Sequence, residues 1–327
     1  DEEMYPASLT KIATAIYALE HGDLNDIVTV SESVRDVEGS KVYLEVGEQI
    51  PLKTLIQGLL VNSGNDAGVA IAEHMHGSVE AFAENLNGYL KHLGLKNTYF
   101  VNPHGLFDPE HVTTAEDLAK LTRYAIQNET FSEIFGMKEL KWEGKSWQTT
   151  IYTHHKLMRE APYEGVTGGK TGYTLRSKST LVTTAERENI SLIAVVLKGD
   201  TRNIVYDDTV KLLDYGFAHY KTDFIPKGET FTEKGDKFKV TEDLYYTRKI
   251  DEHVSKQMIV NGILTVVNEN KEIIASFPLK HVSQKKENED TSISLNAIHG
   301  IPFFIVVAVA MILLWKTKKR PKTVRFE

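Results

Sequence analysis

The chain has 327 residues, 38 Lys and Arg against 45 Asp and Glu, a formal net charge of −7 and no cysteine. That length accommodates one large domain and a small one. The acidic balance argues against a nucleic-acid partner, and the absence of cysteine excludes disulfides and thiolate metal sites while fitting an oxidising exterior.

Residues Asp1 to Tyr5 carry neither the basic start nor the apolar core of a signal peptide. Ile12, Ala15, Ile16 and Leu19 follow at helical spacing, which predicts a helix over about 8–20 beginning just after Pro6. Residues 23–48 are polar and irregular, with short extended pieces such as Val28-Thr29-Val30. Helices are expected over 52–61, where Pro51 suits a first turn, and over 66–76 and 79–93. Another is expected from Thr114 to about Asn128, with Thr114 and Asp117 matching a capping box. Residues 138–152 read as extended. The period then shifts to strands over 179–185 and 190–197, joined by a turn at Glu186 to Asn189, and a helix is expected over 205–219. From 222 to 282, short apolar runs punctuated by Gly228, Gly235, Gly262 and Asn268-Glu269-Asn270 predict a small all-β domain.

Residues 283–292 read as a charged linker. Between Ile293 and Trp315 there is no formal charge over 23 residues, and Lys316, Lys318, Lys319, Arg320, Lys322 and Arg325 follow. That pattern predicts a single transmembrane helix over 293–315 with a cytoplasmic basic tail at 316–327 and an extracytoplasmic body. The expected fold class is therefore α+β: helices packed on a mainly antiparallel sheet over 1–219, then the β domain and a C-terminal span.

Three short strings carry the chemistry. Ser8 and Lys11 are one helical turn apart, so an amine of lowered pKa can take the proton of a serine nucleophile. Ser63-Gly64-Asn65 falls between two expected helices, where the glycine lets the chain turn and both polar side chains point one way. There Ser63 can pass a proton onward, and Asn65 can hold the lysine or an amide of the substrate. Gly168-Gly169-Lys170-Thr171-Gly172 leads into a strand and fails the phosphate-loop pattern. Lys170 and Thr171 suit a carboxylate, and Gly172 leaves the face open to an extended peptide. Read singly, each string is also an ordinary cap, loop or turn. The twelve histidines form no His-Glu-x-x-His pattern and His154 adjoins His155, so no metal or other cofactor is expected.

In this order the strings form a Ser-x-x-Lys, Ser-x-Asn, Lys-Thr-Gly set. With it come Tyr5-Pro6-Ala7-Ser8-Leu9-Thr10-Lys11, Asn62 to Ala67, Phe100 to Leu106, Gly169 to Thr174 and Lys211 to Phe217. On these residues the chain resembles the low-molecular-mass penicillin-binding proteins, the D-alanyl-D-alanine carboxypeptidases of serine peptidase family S11, with their N-terminal strands absent. The resemblance implies a penicillin-binding protein/serine β-lactamase-like fold. It implies removal of the terminal D-alanine from peptidoglycan stem peptides, covalent β-lactam binding, and a membrane anchor. Ser8 would be the acylated nucleophile, Lys11 its base and Ser63 the relay. Asn65, Lys170, Thr171 and Gly172 would bind substrate, and the backbone N–H groups of Ser8 and Tyr173 would form the oxyanion hole.

The chain departs from the family in carrying Leu175-Arg176-Ser177-Lys178-Ser179 where an Ala-Gly pair is usual. It also has Val205 where the family places an arginine, with Arg202 one turn earlier. A serine β-lactamase is the rival enzyme; it would need a glutamate to activate water, and Glu110, Glu116, Glu129 and Glu133 are the mid-chain candidates. The rival of another class is a catalytically impaired, membrane-tethered cell-wall-binding protein.

Overall fold

The first apolar stripe forms the central helix of the N-terminal body in a computed structural model that describes residues 2–259 and 262–282. A 3₁₀ turn, Ala7–Leu9, leads into α1 (Thr10–His21). The expectation of a single helix from Ser8 is corrected at its start, because Ala7 takes φ +50° and the chain enters through a tight turn. Ile12, Ala13, Ala15, Ile16 and Ala18 are fully buried, and so are Thr10, Lys11 and Thr14. The helix is thus enclosed on all sides, which commits its polar residues to internal hydrogen bonds.

Around it pack α2 (Leu52–Val61), α3 (Asn65–His76), α4 (Val79–His92) and α5 (Ala115–Ala125). A short antiparallel pair, β1 (Ile27–Thr29) and β2 (Gln49–Pro51), brackets the irregular segment before α2. The helix expected to run to Asn128 stops at Ala125, and Asn128 caps a separate α6 (Glu129–Phe135) by accepting the Phe131 N–H at 3.0 Å. Only half of the capping box forms. Thr114 Oγ1 accepts the Asp117 N–H at 3.1 Å, but the Asp117 carboxylate accepts instead from Asn97 N–H at 2.8 Å and Thr98 Oγ1 at 2.9 Å.

Residues 138–152 form a hairpin of β3 (Glu139–Glu143) and β4 (Gln148–Tyr152). The main sheet of the body consists of β5 (Val166–Thr174), β6 (Lys178–Arg187) and β7 (Ile190–Gly199), antiparallel and in that order. β6 and β7 run further than the sequence suggests because Glu188, at φ +48°, allows a turn of only two residues. α7 (Arg202–His219) packs on β6 and β7, and α5 packs on β7. This arrangement puts β5 at the sheet edge nearest the start of α1, where the 3₁₀ turn contacts it.

The chain passes from α7 straight into β8 (Tyr220–Ile225). The remaining strands are β9 (Thr230–Glu233), β10 (Asp236–Lys239), β11 (Leu244–Lys249), β12 (Val254–Ile259), β13 (Ile263–Asn268), β14 (Ile273–Pro278) and β15 (Lys280–His281). They form antiparallel sheets ordered β11-β8, β15-β10-β9 and β12-β13-β14. Ile225, Val240, Tyr246, Leu264 and Val266 make a hydrophobic cluster of their own there. The linker 283–292, the span 293–315 and the tail 316–327 lie outside the described residues. Among the described residues no helix is long and apolar enough to cross a membrane.

Candidate active site

The start of α1 is pinned to the sheet by polar contacts. Thr180 Oγ1 on β6 donates to the Pro6 carbonyl at 2.9 Å, and Thr10 Oγ1 donates to the Ala7 carbonyl at 2.9 Å. Ser8 is held between these clamps, half-buried. Gly172 on β5 lies against it. A Cβ at that position would sit 2.4 Å from Thr180 Oγ1 and 2.9 Å from the Ser8 nitrogen. Glycine is therefore demanded by the approach of the strand to the serine backbone, a requirement separate from the open face expected of it.

Lys11 Nζ lies 2.8 Å from Ser8 Oγ, 2.6 Å from Asn65 Oδ1 and 2.8 Å from the His104 carbonyl. The side chain is fully buried. Burial lowers its pKa well below the ordinary lysine value; the nearby Lys170 charge lowers it further, and Asp66 opposes the shift. A neutral amine has two N–H donors and one lone pair. The two carbonyl acceptors, Asn65 and His104, consume the donors, which aims the lone pair at the Ser8 hydroxyl. The arrangement is that of a base poised on a nucleophile.

Asn65 is held in turn. Its Nδ2 donates to the Glu38 carbonyl at 2.5 Å, and Gly39, at φ +84°, leaves room for that amide. Ser63, between α2 and α3, adopts φ +61°, a left-handed conformation that costs a non-glycine residue about 1–3 kcal/mol. Ser63 lines the same cleft as Ser8. In the structure its hydroxyl is hydrogen-bonded to neither Ser8 nor Lys11.

Asp66 explains how the strained loop is kept. Its buried carboxylate accepts the Val42 N–H at 3.0 and 3.1 Å and the Leu44 N–H at 3.2 Å. Opposite, Gly105 has φ +86°, and a Cβ there would fall 1.8 Å from the Ala7 carbonyl. The two loops thus approach Lys11 from both sides as rigid pieces.

The cleft holds about 190 Å³ and is lined by Ser8, Ser63, Thr171, Gly172 and Tyr173, with His154, Arg202 and Tyr206 on the far wall. All three sequence strings converge here. Lys170 is different: it is 3 % exposed, donates to the Thr171 carbonyl at 3.0 Å, and lies beneath the lining. Burial lowers its pKa to about 7. His154 is lowered to about 4 by burial and by the charges of Lys170 and Arg202, so it faces the cleft as a neutral imidazole near pH 7. Arg202 and Lys170 make this end of the cleft electropositive, suited to an anion. Among the described residues no group of three or more His, Asp or Glu side chains is placed to hold a metal.

Sequence reasoning missed the His104 carbonyl, Ser40, His154 and Tyr206 as site components. His104 lies within the Phe100-to-Leu106 string, but a main-chain acceptor leaves no side-chain signature.

Fold and cleft together define a chain of the penicillin-binding-protein class. The solved structure of penicillin binding protein 5 from Haemophilus influenzae superposes with a TM-score of 0.76 at 29 % identity, covering 86 % of this chain and 90 % of that one. The chain belongs to the D-alanyl-D-alanine carboxypeptidase family of S11 peptidases, whose model matches residues 1–201. It is 36 % identical over 231 residues to D-alanyl-D-alanine carboxypeptidase DacF of Bacillus subtilis, and 36 % identical over 243 residues to DacA of Haemophilus influenzae. In each case the match takes in 68 % of this chain and 58 % of the relative's length.

Proposed function

We propose that the chain is a serine-type D-alanyl-D-alanine carboxypeptidase acting on peptidoglycan stem peptides. The observation that carries this reading is Lys11 Nζ at 2.8 Å from Ser8 Oγ, desolvated and locked by two carbonyl acceptors. Family membership supplies the substrate class.

A peptide lies along β5 with its terminal carboxylate toward Lys170, Thr171 and Arg202. Ser8 Oγ attacks the carbonyl between the two D-alanines as its proton passes to Lys11. The tetrahedral oxyanion is met by the N–H groups of Ser8 and Tyr173, and such donors are worth about 3–4 kcal/mol each in comparable sites. The proton then reaches the departing amine through Ser63, and D-alanine leaves. Water, deprotonated by the same lysine, releases the shortened peptide from Ser8.

A β-lactam would acylate Ser8 in the same way. The residues lining the cleft include no carboxylate, and Glu110, Glu116, Glu129 and Glu133 are all elsewhere. That favours a slowly released penicillin adduct over the rapid turnover of a β-lactamase. We also propose that residues 293–315 anchor the body outside the cell membrane as a single span; the uncharged run of 23 residues and the basic cluster after it support this.

Intact-mass measurement after incubation with penicillin tests the reading. The expected result is one stable adduct, located on Ser8 and absent from Ser8→Ala. A folded chain that forms no adduct, or that turns penicillin over many times, overturns it.

A further inference from the structure

His155 lies just behind the cleft and takes no part in the proposed reaction. It is 1 % exposed. Its Nε2 lies 2.7 Å from Thr183 Oγ1, and its Nδ1 has no hydrogen-bond partner. A buried polar atom without a partner is costly, and an apolar side chain of the same shape would avoid that cost. What the imidazole supplies in return is the Nε2 bond to Thr183.

That bond seats the ring against β5. Thr183 on β6 is the cross-strand partner of Gly169 on β5, the residue immediately before Lys170. The ring occupies the space that a side chain at 169 would need: a Cβ there would fall 2.4 Å from His155 Cδ2 and 2.6 Å from its Nε2. The strand therefore rests on the imidazole at the residue next to Lys170.

The same ring is gripped by α7. Tyr206 packs edge-on against it, with ring centroids 5.7 Å apart. The Tyr206 hydroxyl accepts the Lys156 N–H at 3.0 Å and donates to the His154 carbonyl at 3.2 Å, so it holds the backbone on both sides of His155. Tyr206 stands one turn after Arg202 on α7, and both line the cleft. One buried ring thus touches the helix that carries Arg202 and the strand that carries Lys170 and Thr171. Burial keeps the imidazole neutral near pH 7, so it adds no positive charge beside Lys170.

Resting on the proposed carboxypeptidase reading, we infer that His155 is a positioning residue, a spacer that fixes the separation of β5 from α7 and so sets how well the cleft grips the carboxylate of a substrate or a β-lactam. It acts through Lys170, Thr171 and Arg202. Lys11 is aimed independently, by Asn65 and the His104 carbonyl. Loss of the spacer should therefore weaken the hold on the carboxylate and leave the attack of Ser8 largely intact.

The test compares acylation of the full chain by a penicillin and by its methyl ester, which lacks the negative charge. The parent should react faster with the free acid. His155→Ala should lower the rate with the free acid about tenfold, the scale of one lost hydrogen bond to a charged group, and the rate with the ester less than about twofold. Thr183→Val should act alike, and the double variant should go no further, because both changes remove one contact. His155→Gln, whose amide can donate to Thr183 Oγ1, should recover part of the loss. The acid-to-ester ratio within one preparation is independent of its folded fraction. A ratio unmoved by these variants, or rates that fall equally for acid and ester, overturns the assignment. The parent separates the two readings. A parent that neither compound acylates loses the carboxypeptidase reading and the spacer together, and one acylated equally by both loses the carboxylate grip and the spacer with it. A parent that prefers the acid, and whose variants keep that preference in full, loses the spacer alone.

Discussion

Asn65 holds Lys11 through its side-chain oxygen at 2.6 Å while its amide nitrogen is tied to the Glu38 carbonyl. The orientation matters because an oxygen, not a nitrogen, faces the amine; it uses one N–H and leaves the lone pair for Ser8. Replacing it with a carboxylate would favour the ammonium form. Asn65→Asp should therefore raise the Lys11 pKa, move the acid limb of the acylation profile to higher pH, and slow penicillin acylation at pH 7 by about 100-fold, the scale of general-base catalysis. Stopped-flow acylation from pH 5 to pH 10 reads this, and partial recovery at alkaline pH is the distinguishing sign. Slowing by the same factor at every pH would mean that Asn65 acts on geometry alone.

Lys170 should set the alkaline limb. Its pKa is lowered to about 7 by burial, and its charged form is the one suited to a terminal carboxylate. In the proposed mechanism Lys11 acts as the neutral amine and Lys170 binds as the charged one. kcat/KM for a D-Ala-D-Ala peptide should thus gain with pH as Lys11 loses its proton and lose with pH as Lys170 deprotonates around 7. A bound carboxylate raises the Lys170 pKa, so the fall should lie in KM with little change in kcat. Because the two lysines interact, the limbs report the pair as a unit. A KM that stays level from pH 7 to pH 10 would exclude the Lys170 charge from binding.

That Ser8, Lys11 and the strand beside them come together was legible from the strings, because residue types at those spacings suit an acyl-transfer site. The antiparallel β6–β7 hairpin was legible for the same kind of reason: its apolar runs have strand length and end in turn residues. The left-handed backbones of Ala7 and Ser63 were not, since non-glycine residues take them only under tertiary constraint. Nor was the burial of Lys170. A lysine on an edge strand reads as exposed, and only the packing around β5 places its amine beneath the cleft. The short α6 after Asn128 was not legible, because seven residues carry too little apolar periodicity and its start is decided by the Asn128 cap.

Gly172→Ala tests how closely β5 must approach the serine. The added methyl would meet Thr180 Oγ1 at 2.4 Å and the Ser8 nitrogen at 2.9 Å, both under van der Waals contact. Thr180 also holds the Pro6 carbonyl, so relief of the clash loosens the turn that carries Ser8. A displacement of about 1 Å at a reacting group can lower the rate 100-fold. The expected outcome is a fall of about that size in acylation rate with a small change in Tm, measured by stopped-flow and thermal melting. An unchanged acylation rate would show that the oxyanion donors tolerate a wider gap.

His111 couples acid stability to the same turn. Its Nδ1 accepts the Val101 N–H at 3.1 Å, which places the proton on Nε2, 2.8 Å from Thr10 Oγ1; Thr10 in turn donates to Ala7. A second proton on Nδ1 would break the Val101 bond. Burial lowers the pKa of His111 to about 3, despite the opposing charge of Asp108, and burial likewise lowers His104 to about 3 and His155 to about 4. In the unfolded chain these histidines take up a proton near pH 6.5. Their folded pKa values being depressed, the stability they contribute is complete above about 6.5 and is lost as pH falls toward 3–4, by about 1.4 kcal/mol per histidine for each pH unit. Tm should fall steeply between pH 6.5 and pH 4. His111→Asn, which retains an acceptor for Val101 but cannot titrate, should start at a lower Tm and fall with a shallower slope. A parent slope equal to that of His111→Asn would mean that His111 already titrates normally in the folded chain.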